Sequence, residues 1–260
     1  MKRFALILIA LLVAAPFFAS AQQVVERYDF SHMRGWRVGT GDWTVQNERL
    51  FQNDDGAGMA RIDKKIPETG VYQIDFVIRY EGGGYEDQEA YENRRFHAGF
   101  GVHVGASNPP LGKKAWGNDD SLLLWLNLDT RADTQENAPV HYGFRAQVYD
   151  SESNVDMDLY ESPAVAEMLG SSTMSIDLVE ALRRYGVEDI GFSDLAPYLQ
   201  RDVPISIRVN TNTGRIGVKD PTAPIRFYFR VDPEKLQGNY ISLRTNDLAV
   251  SFDDFTVTQR

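Results

Sequence analysis

The chain has 260 residues, a formal net charge of −10 and no cysteine. Without cysteine there are no disulfides, no thiolate nucleophile, no cysteine-based metal site and no lipid-anchoring cysteine. An acidic chain repels phosphate backbones, which argues against a nucleic-acid partner and leaves solubility as the ordinary use of the charge.

At the N-terminus Lys2 and Arg3 precede an apolar run over residues 4–18, followed by Ala19-Ser20-Ala21. A basic start, an apolar middle and a small-x-small end form the pattern of a secretory signal peptide, here residues 1–21. The run is shorter than the ~20 residues that cross a bilayer, and no later stretch is apolar enough to do so. Export without disulfides fits the bacterial periplasm or exterior. Residues 22–260 then form a mature chain of about 239 residues with a charge near −12. That length is compatible with one β-sandwich or barrel and sufficient for a core without covalent staples.

Most of the mature chain alternates with period two. Strands are expected over 44–50, 59–64, 71–80, 96–104, 122–128, 142–149, 203–209, 225–231, 240–245 and 248–258. Turn clusters separate them: Asn53-Asp54-Asp55-Gly56, Gly82-Gly83-Gly84, Asn108-Pro109-Pro110 and Asn212-Thr213-Gly214. Such a series of short strands predicts an all-β, two-sheet antiparallel sandwich forming a single domain over 22–260. The stretch 80–95, with Glu86, Asp87, Glu89 and Glu92, reads as an acidic loop. The stretch at about 160–201 breaks the alternation. Ser162-Pro163 starts a short helix closed by Gly170. Leu178, Leu182 and Tyr185 recur at helical spacing before Gly186, and 192–199 adds another turn. This predicts a small helical insertion, too poor in apolar residues to be a domain of its own.

Alternation also sorts residues by face. Tyr72, Ile74, Phe76, Ile78 and Tyr80 oppose Gln73, Asp75 and Arg79. Phe96, Ala98, Phe100, Val102 and Val104 oppose His97, Gly99, Gly101 and His103. Leu122, Leu124, Leu126 and Leu128 oppose Leu123, Trp125 and Asn127. Tyr142, Phe144, Ala146 and Val148 oppose Gly143, Arg145, Gln147 and Tyr149, while the apolar Val203–Val209 set opposes Ser206, Arg208 and Asn210. Each strand thus has one core face and one polar face. If all lie in one sheet, the polar faces merge into a surface of glycines, aromatics, amides, arginines and histidines. Glycines let a ligand approach the backbone, aromatic rings pack on sugar C–H faces, and guanidinium groups bind carboxylates. Such a surface is either a ligand groove or an ordinary solvated face. On the groove reading its ligand-binding candidates are Gln73, Asp75, Arg79, His97, His103, Trp125, Asn127, Arg145, Gln147, Tyr149 and Arg208.

Several motifs carry a family resemblance: Gly41-Asp42-Trp43-Thr44-Val45 with Arg49-Leu50, the strand after Gly70, Gly214-Arg215-Ile216, Ile241-Ser242-Leu243-Arg244 and Ser251-Phe252-Asp253-Asp254-Phe255-Thr256-Val257. The chain resembles the concanavalin A-like lectin/glucanase jelly-roll superfamily, in its laminin-G-like bacterial branch, over nearly all of the mature chain outside the insertion. The resemblance implies a jelly-roll sandwich with ligands on the concave sheet, and it implies fold far more than activity.

Glycosidases of that superfamily carry Glu-x-Asp-x-x-Glu or a close variant on a concave strand, and retaining hydrolysis needs carboxyl groups ~5–5.5 Å apart. Here Asp75 has only Gln73 and Val77 as same-face neighbours, and Glu86-Asp87-Gln88-Glu89 lies in the acidic loop, so that mechanism is not expected. A polysaccharide lyase would draw on Arg79, His97, His103, Arg145, Gln147 and Tyr149, although their spacing does not reproduce the alginate-lyase-like motifs. His97 and His103 are ~20 Å apart along an extended strand, too far to share one metal. Asp253 and Asp254 have the oxygen ligands of a structural calcium site, while aspartates at strand ends are also common without metal. The leading expectation is an exported, noncatalytic carbohydrate-binding protein whose partner is a glycan or polysaccharide. The alternatives are a cell-envelope protein of coat or sheath type, docking through Met168, Leu178 and Leu182, and a lyase.

Overall fold

The computed structural model describes residues 23–83, 99–110, 117–129, 143–160, 174–176, 200–222 and 226–260. Its strands in chain order are β1 (Gln23–Tyr28), β2 (Trp36–Thr40), β3 (Trp43–Gln46), β4 (Arg49–Gln52), β5 (Ala60–Lys65), β6 (Val71–Gly83), β7 (Gly99–Ala106) and β8 (Ser121–Asp129). There follow β9 (Gly143–Ser151), β10 (Met157–Leu159), β11 (Met174–Ile176), β12 (Val203–Asn210), β13 (Arg215–Lys219), β14 (Arg226–Arg230), β15 (Tyr240–Asn246) and β16 (Leu248–Gln259). They form two antiparallel sheets. Sheet A runs β14-β13-β12-β6-β16-β4-β3, with β1 also on β16, and sheet B runs β10-β9-β8-β7-β15-β5-β2, with β11 on β9. The expected two-sheet antiparallel sandwich is therefore the fold observed.

Side-chain alternation puts one face of each sheet against the other. Along β6 the residues Tyr72, Ile74, Phe76, Ile78 and Tyr80 are buried, while Gln73, Asp75 and Arg79 between them are only half-buried. The short β14 repeats this, with Phe227 and Phe229 buried and Arg226, Tyr228 and Arg230 exposed. The inward residues of both sheets form one core cluster, in which Phe252 sits between Trp43 at 6.1 Å and Phe76 at 5.8 Å. Burying each such ring contributes roughly 1.5–3 kcal/mol. A second aromatic group of Tyr28, Phe30, Trp36 and Phe255 packs beside it, with Lys64 Nζ 4.6 Å from the Tyr28 ring centre.

One polar group ties the sheets together from inside. Glu68, just before β6, accepts hydrogen bonds from the Tyr72 hydroxyl of sheet A (3.0 Å) and the Gly105 backbone N–H of sheet B (2.9 Å). Burial pushes its carboxyl up to about 8, against the opposing pull of the Gly105 and Tyr72 bonds.

The structure refines the expected elements in two places. The strand expected at 44–50 is instead the β3–β4 hairpin, with Asn47 and Glu48 at φ values of 50° and 59°. Two consecutive positive φ values make the tight turn that matches strand twist. Within 160–201, the described residues 174–176 are not helical but a strand against β9. The expected helices flanking it, with Met168, Leu178 and Leu182, lie outside the described residues, as do the signal peptide and most of the acidic loop.

Candidate functional site

The sheet topology divides the candidate residues into two groups. Gln73, Asp75 and Arg79 on β6 and Arg208 on β12 belong to sheet A, whereas His103 on β7, Trp125 and Asn127 on β8, and Arg145, Gln147 and Tyr149 on β9 belong to sheet B. The single merged surface is thereby corrected to two faces that point away from each other. Alternation assigns a residue to a face of its strand, but it is silent on which sheet the strand joins. His97 lies outside the described residues. Arg145 is placed by backbone register opposite Asn127, and its side chain lies outside the described residues. Because Arg79 is on one sheet and His103, Gln147 and Tyr149 are on the other, the residues considered for a lyase do not form one site.

The outward face of sheet B is polar but closed. Its Trp125 is 6% exposed, Asn127 4% and His103 0%. The room left by the β7 glycines is filled by the protein itself. A Cβ on Gly99 would lie 2.8 Å from Trp125 Cζ2, and one on Gly101 would lie 2.7 Å from Leu123 Cδ1 and 2.9 Å from Trp125 Cε3. The indole therefore lies across a glycine floor, which replaces the expectation that these glycines admit a ligand. His103 is held by Ser121 Oγ on Nδ1 (3.1 Å) and approached by Arg244 Nη1 at Nε2 (3.3 Å). Burial, then the charges of Arg244 and Arg61, hold its pKa well below the usual histidine range, so the ring is neutral. Burial followed by Arg61 also brings Arg244 down to about 9. Nearby, Asp63 accepts from Arg61 Nε (2.9 Å) and pairs with Arg37 (3.4 Å). A small cavity of 210 Å³ remains over this face, lined by Trp125, Tyr149, Met157, Asp158, Arg244 and Asn246 among others. Sequence reasoning brought Trp125 and Tyr149 together correctly, but it missed Arg244.

Sheet A has an open outward face with two unlike ends. At the β4–β16 end the charges are paired. Arg79 Nε contacts Glu81 (2.8 Å), and Arg49 contacts both Asp253 and Asp202 (3.1 Å each). This arrangement does not fit calcium. Arg49 already occupies the cationic position beside Asp253, whose other oxygen accepts the Asp254 N–H (2.7 Å). Asp254 itself is exposed at a bulge with φ 48°. Among the described residues no group of three His, Cys, Asp or Glu comes together as a metal site.

At the β12–β14 end the strands open into a trough of 730 Å³ lined by Gln73, Ser206, Arg208, Asn210, Arg215, Gly217, Lys219, Tyr228 and Arg230, together with Ile216, Val218 and Phe229. Register places its outward residues in three cross-strand rows. The central row is Thr258, Gln73, Arg208, Gly217 and Tyr228. One flanking row is Asp75, Ser206, Lys219 and Arg226, and the other is Asn210, Arg215 and Arg230. Tyr228 is 63% exposed. Its ring leans over Gly217, where an added Cβ would touch Cε1 and Cδ1 at 3.5 and 3.6 Å. Gln73 donates to both oxygens of Asp75 at 2.9 Å, which fixes the amide and partly satisfies the carboxylate. Sequence reasoning found Gln73, Asp75 and Arg208 here. It missed Arg215, Lys219, Arg226, Tyr228 and Arg230, although Arg-Ile-Gly-Val-Lys and Arg-Phe-Tyr-Phe-Arg each show the alternation that marks an outward basic face.

No protein-family model matches the chain, and no curated protein matches it. Among solved structures it is similar to lectin I of Ulex europaeus in complex with the methyl glycoside of alpha-L-fucose. That match has a TM-score of 0.50 and 8% identity, and covers 92% of this chain and 97% of that one. It is also similar to the Emp47p carbohydrate recognition domain (TM-score 0.48, 14% identity, 90% and 93% covered). A third likeness is to the Bauhinia forficata lectin in complex with GalNAc (TM-score 0.45, 12% identity, 92% and 98% covered). At 8% identity the Ulex likeness speaks to fold alone: the chain has the jelly-roll sandwich fold that this lectin has.

Proposed function

We propose that this protein is an exported, noncatalytic carbohydrate-binding sandwich protein whose ligand lies in the sheet A trough. The observation that carries the reading is Tyr228, an aromatic ring 63% exposed on the edge strand of an open sheet face. Every other large hydrophobic exposed among the described residues is a valine. A phenol ring presents a flat apolar surface for a sugar C–H face and a hydroxyl for its rim. Gln73, Arg208 and Asn210 stand on the neighbouring strands, supplying amide and guanidinium groups that bond sugar hydroxyls. The fold is shared with the Ulex europaeus lectin, which binds a fucoside in its solved complex. The signal-peptide pattern at residues 1–21 supports export to the periplasm or exterior. The motifs at Gly41–Val45 and Ser251–Val257 support a place in the laminin-G-like bacterial branch.

The test is a glycan-array screen of the mature protein, with calcium and with chelator, repeated on Tyr228→Ala. The reading expects binding that is indifferent to chelator and is lost in a variant that melts like wild type. Well-folded wild-type protein that binds nothing on a broad array would overturn it.

A further inference from the structure

The cations around Tyr228 are arranged against the stability of the free protein. On β13 and β14, Arg215 lies directly opposite Arg230, and Lys219 lies directly opposite Arg226. All four are exposed, as is Arg208. Like charges at directly opposed positions destabilise a strand pair. Among the described residues none of these five cations is ion-paired, whereas Arg49 and Arg79 on the same sheet both are. The cluster is also set in a chain with 37 acidic and only 27 basic residues, so the overall composition does not account for it. Protection of an exposed sheet edge would explain cations on β14, which ends sheet A. It does not explain the matching pair on β13, an interior strand.

Resting on the carbohydrate-binding reading, we infer that the ligand class is an anionic polysaccharide. Its sugar rings lie along Tyr228, and its carboxylate or sulfate groups fall between the opposed cations on either side. The two pairs flank the Gly217–Tyr228 pair, and residues 215 and 219 are ~13 Å apart along the strand. This separation suits a linear polymer that carries anionic groups at intervals, not a single small anion. Arginine contributes a planar fork that takes a carboxylate or sulfate in two hydrogen bonds, and each anion relieves a repulsion already present in the free sheet. Single-stranded nucleic acid has the charge, but sites for it stack successive bases on several aromatic rings, and Tyr228 is the one exposed large aromatic side chain among the described residues.

The test measures binding of the full mature chain to polygalacturonate, its methyl ester, dextran sulfate, unmodified dextran and single-stranded oligothymidine, at low and moderate salt. The inference expects binding to polygalacturonate, to dextran sulfate or to both, weakening as salt rises, with none to the methyl ester or dextran. The double variant Arg215→Gln/Arg230→Gln should lose about tenfold in affinity, the scale of two exposed ion pairs, with a shallower salt dependence and no loss of melting temperature. Binding of neutral glycans alone, abolished by Tyr228→Ala but untouched by the double variant, would overturn the inference and leave the carbohydrate reading standing. Oligothymidine binding as tight as that of the polysaccharides would also overturn it, as the mark of an unselective basic surface. Failure to bind any glycan would remove both.

Discussion

Glu68 makes the stability of this sandwich depend on pH in a way that one substitution isolates. The carboxyl is raised from 4.5 to about 8, principally because it is buried between the sheets. Between those values the folded chain holds a proton that the unfolded chain has released. Its contribution is therefore complete below about pH 4.5, declines as pH rises, and is gone above about 8. His103 acts in the opposite sense. Its folded pKa lies well below 6.5, so the unfolded chain takes up a proton first, and stability is lost as pH falls below 6.5. Above pH 6.5 His103 is neutral in the folded state and more than half neutral in the unfolded one, so its effect fades, and comparison with a Glu68 variant cancels what remains. One proton corresponds to at most about 1.4 kcal/mol per pH unit, so the decline over this window is on the order of 2 kcal/mol. Urea unfolding at pH 6.5, 7.0, 7.5 and 8.0 on wild type and Glu68→Gln measures it. The amide keeps an oxygen to accept from Tyr72 or Gly105 but does not titrate, and the difference between the two proteins should shrink steadily as pH rises. A constant difference across the window would refute the reasoning.

Three further variants follow from the packing and the surface charge. Gly101→Ala should destabilise by roughly 1–3 kcal/mol, because its Cβ would meet the Leu124 carbonyl oxygen at 2.6 Å as well as the Leu123 and Trp125 side chains. Equal denaturation midpoints in wild type and variant would count against this. Phe252→Ala removes a fully buried ring between Trp43 and Phe76 and should cost about 3–5 kcal/mol by chemical denaturation. Arg215→Gln/Arg230→Gln should raise stability by up to about 1 kcal/mol at low ionic strength, with the gain fading as salt screens the repulsion. Destabilisation instead would show that the arginines stabilise the free sheet.

The period-two pattern made the fold legible because it is local: Tyr72 to Tyr80 can be sorted into faces from sequence alone, and β6 obeys that sorting. Sheet membership is not local. Nothing within 71–80 or 122–128 shows that β6 pairs with β12 and β16 while β8 lies between β7 and β9. For the same reason Gln73 and Arg208 fell together correctly, as neighbours in one row, but Trp125 and Tyr149 belonged to a different surface. The glycines misled for a related reason. Gly99 and Gly101 are needed for a close approach, as a strand glycine suggests, and what approaches is the indole of Trp125. The basic face of β13 and β14 escaped notice because each strand is only five residues long and its meaning comes from register. Arg215 facing Arg230 is visible only once the hairpin is folded.

On the proposed function, carbohydrate binds the sheet A trough at Tyr228 and not the small cavity over sheet B. The most direct measurement compares the affinities of wild type, Tyr228→Ala and Trp125→Phe for whichever glycan the array identifies, with melting curves recorded on each. Tyr228→Ala should lose about tenfold or more in affinity, the scale of one aromatic contact, and Trp125→Phe should keep wild-type affinity. A loss that follows Trp125→Phe while Tyr228→Ala binds like wild type would contradict this and move the site to the other face of the sandwich.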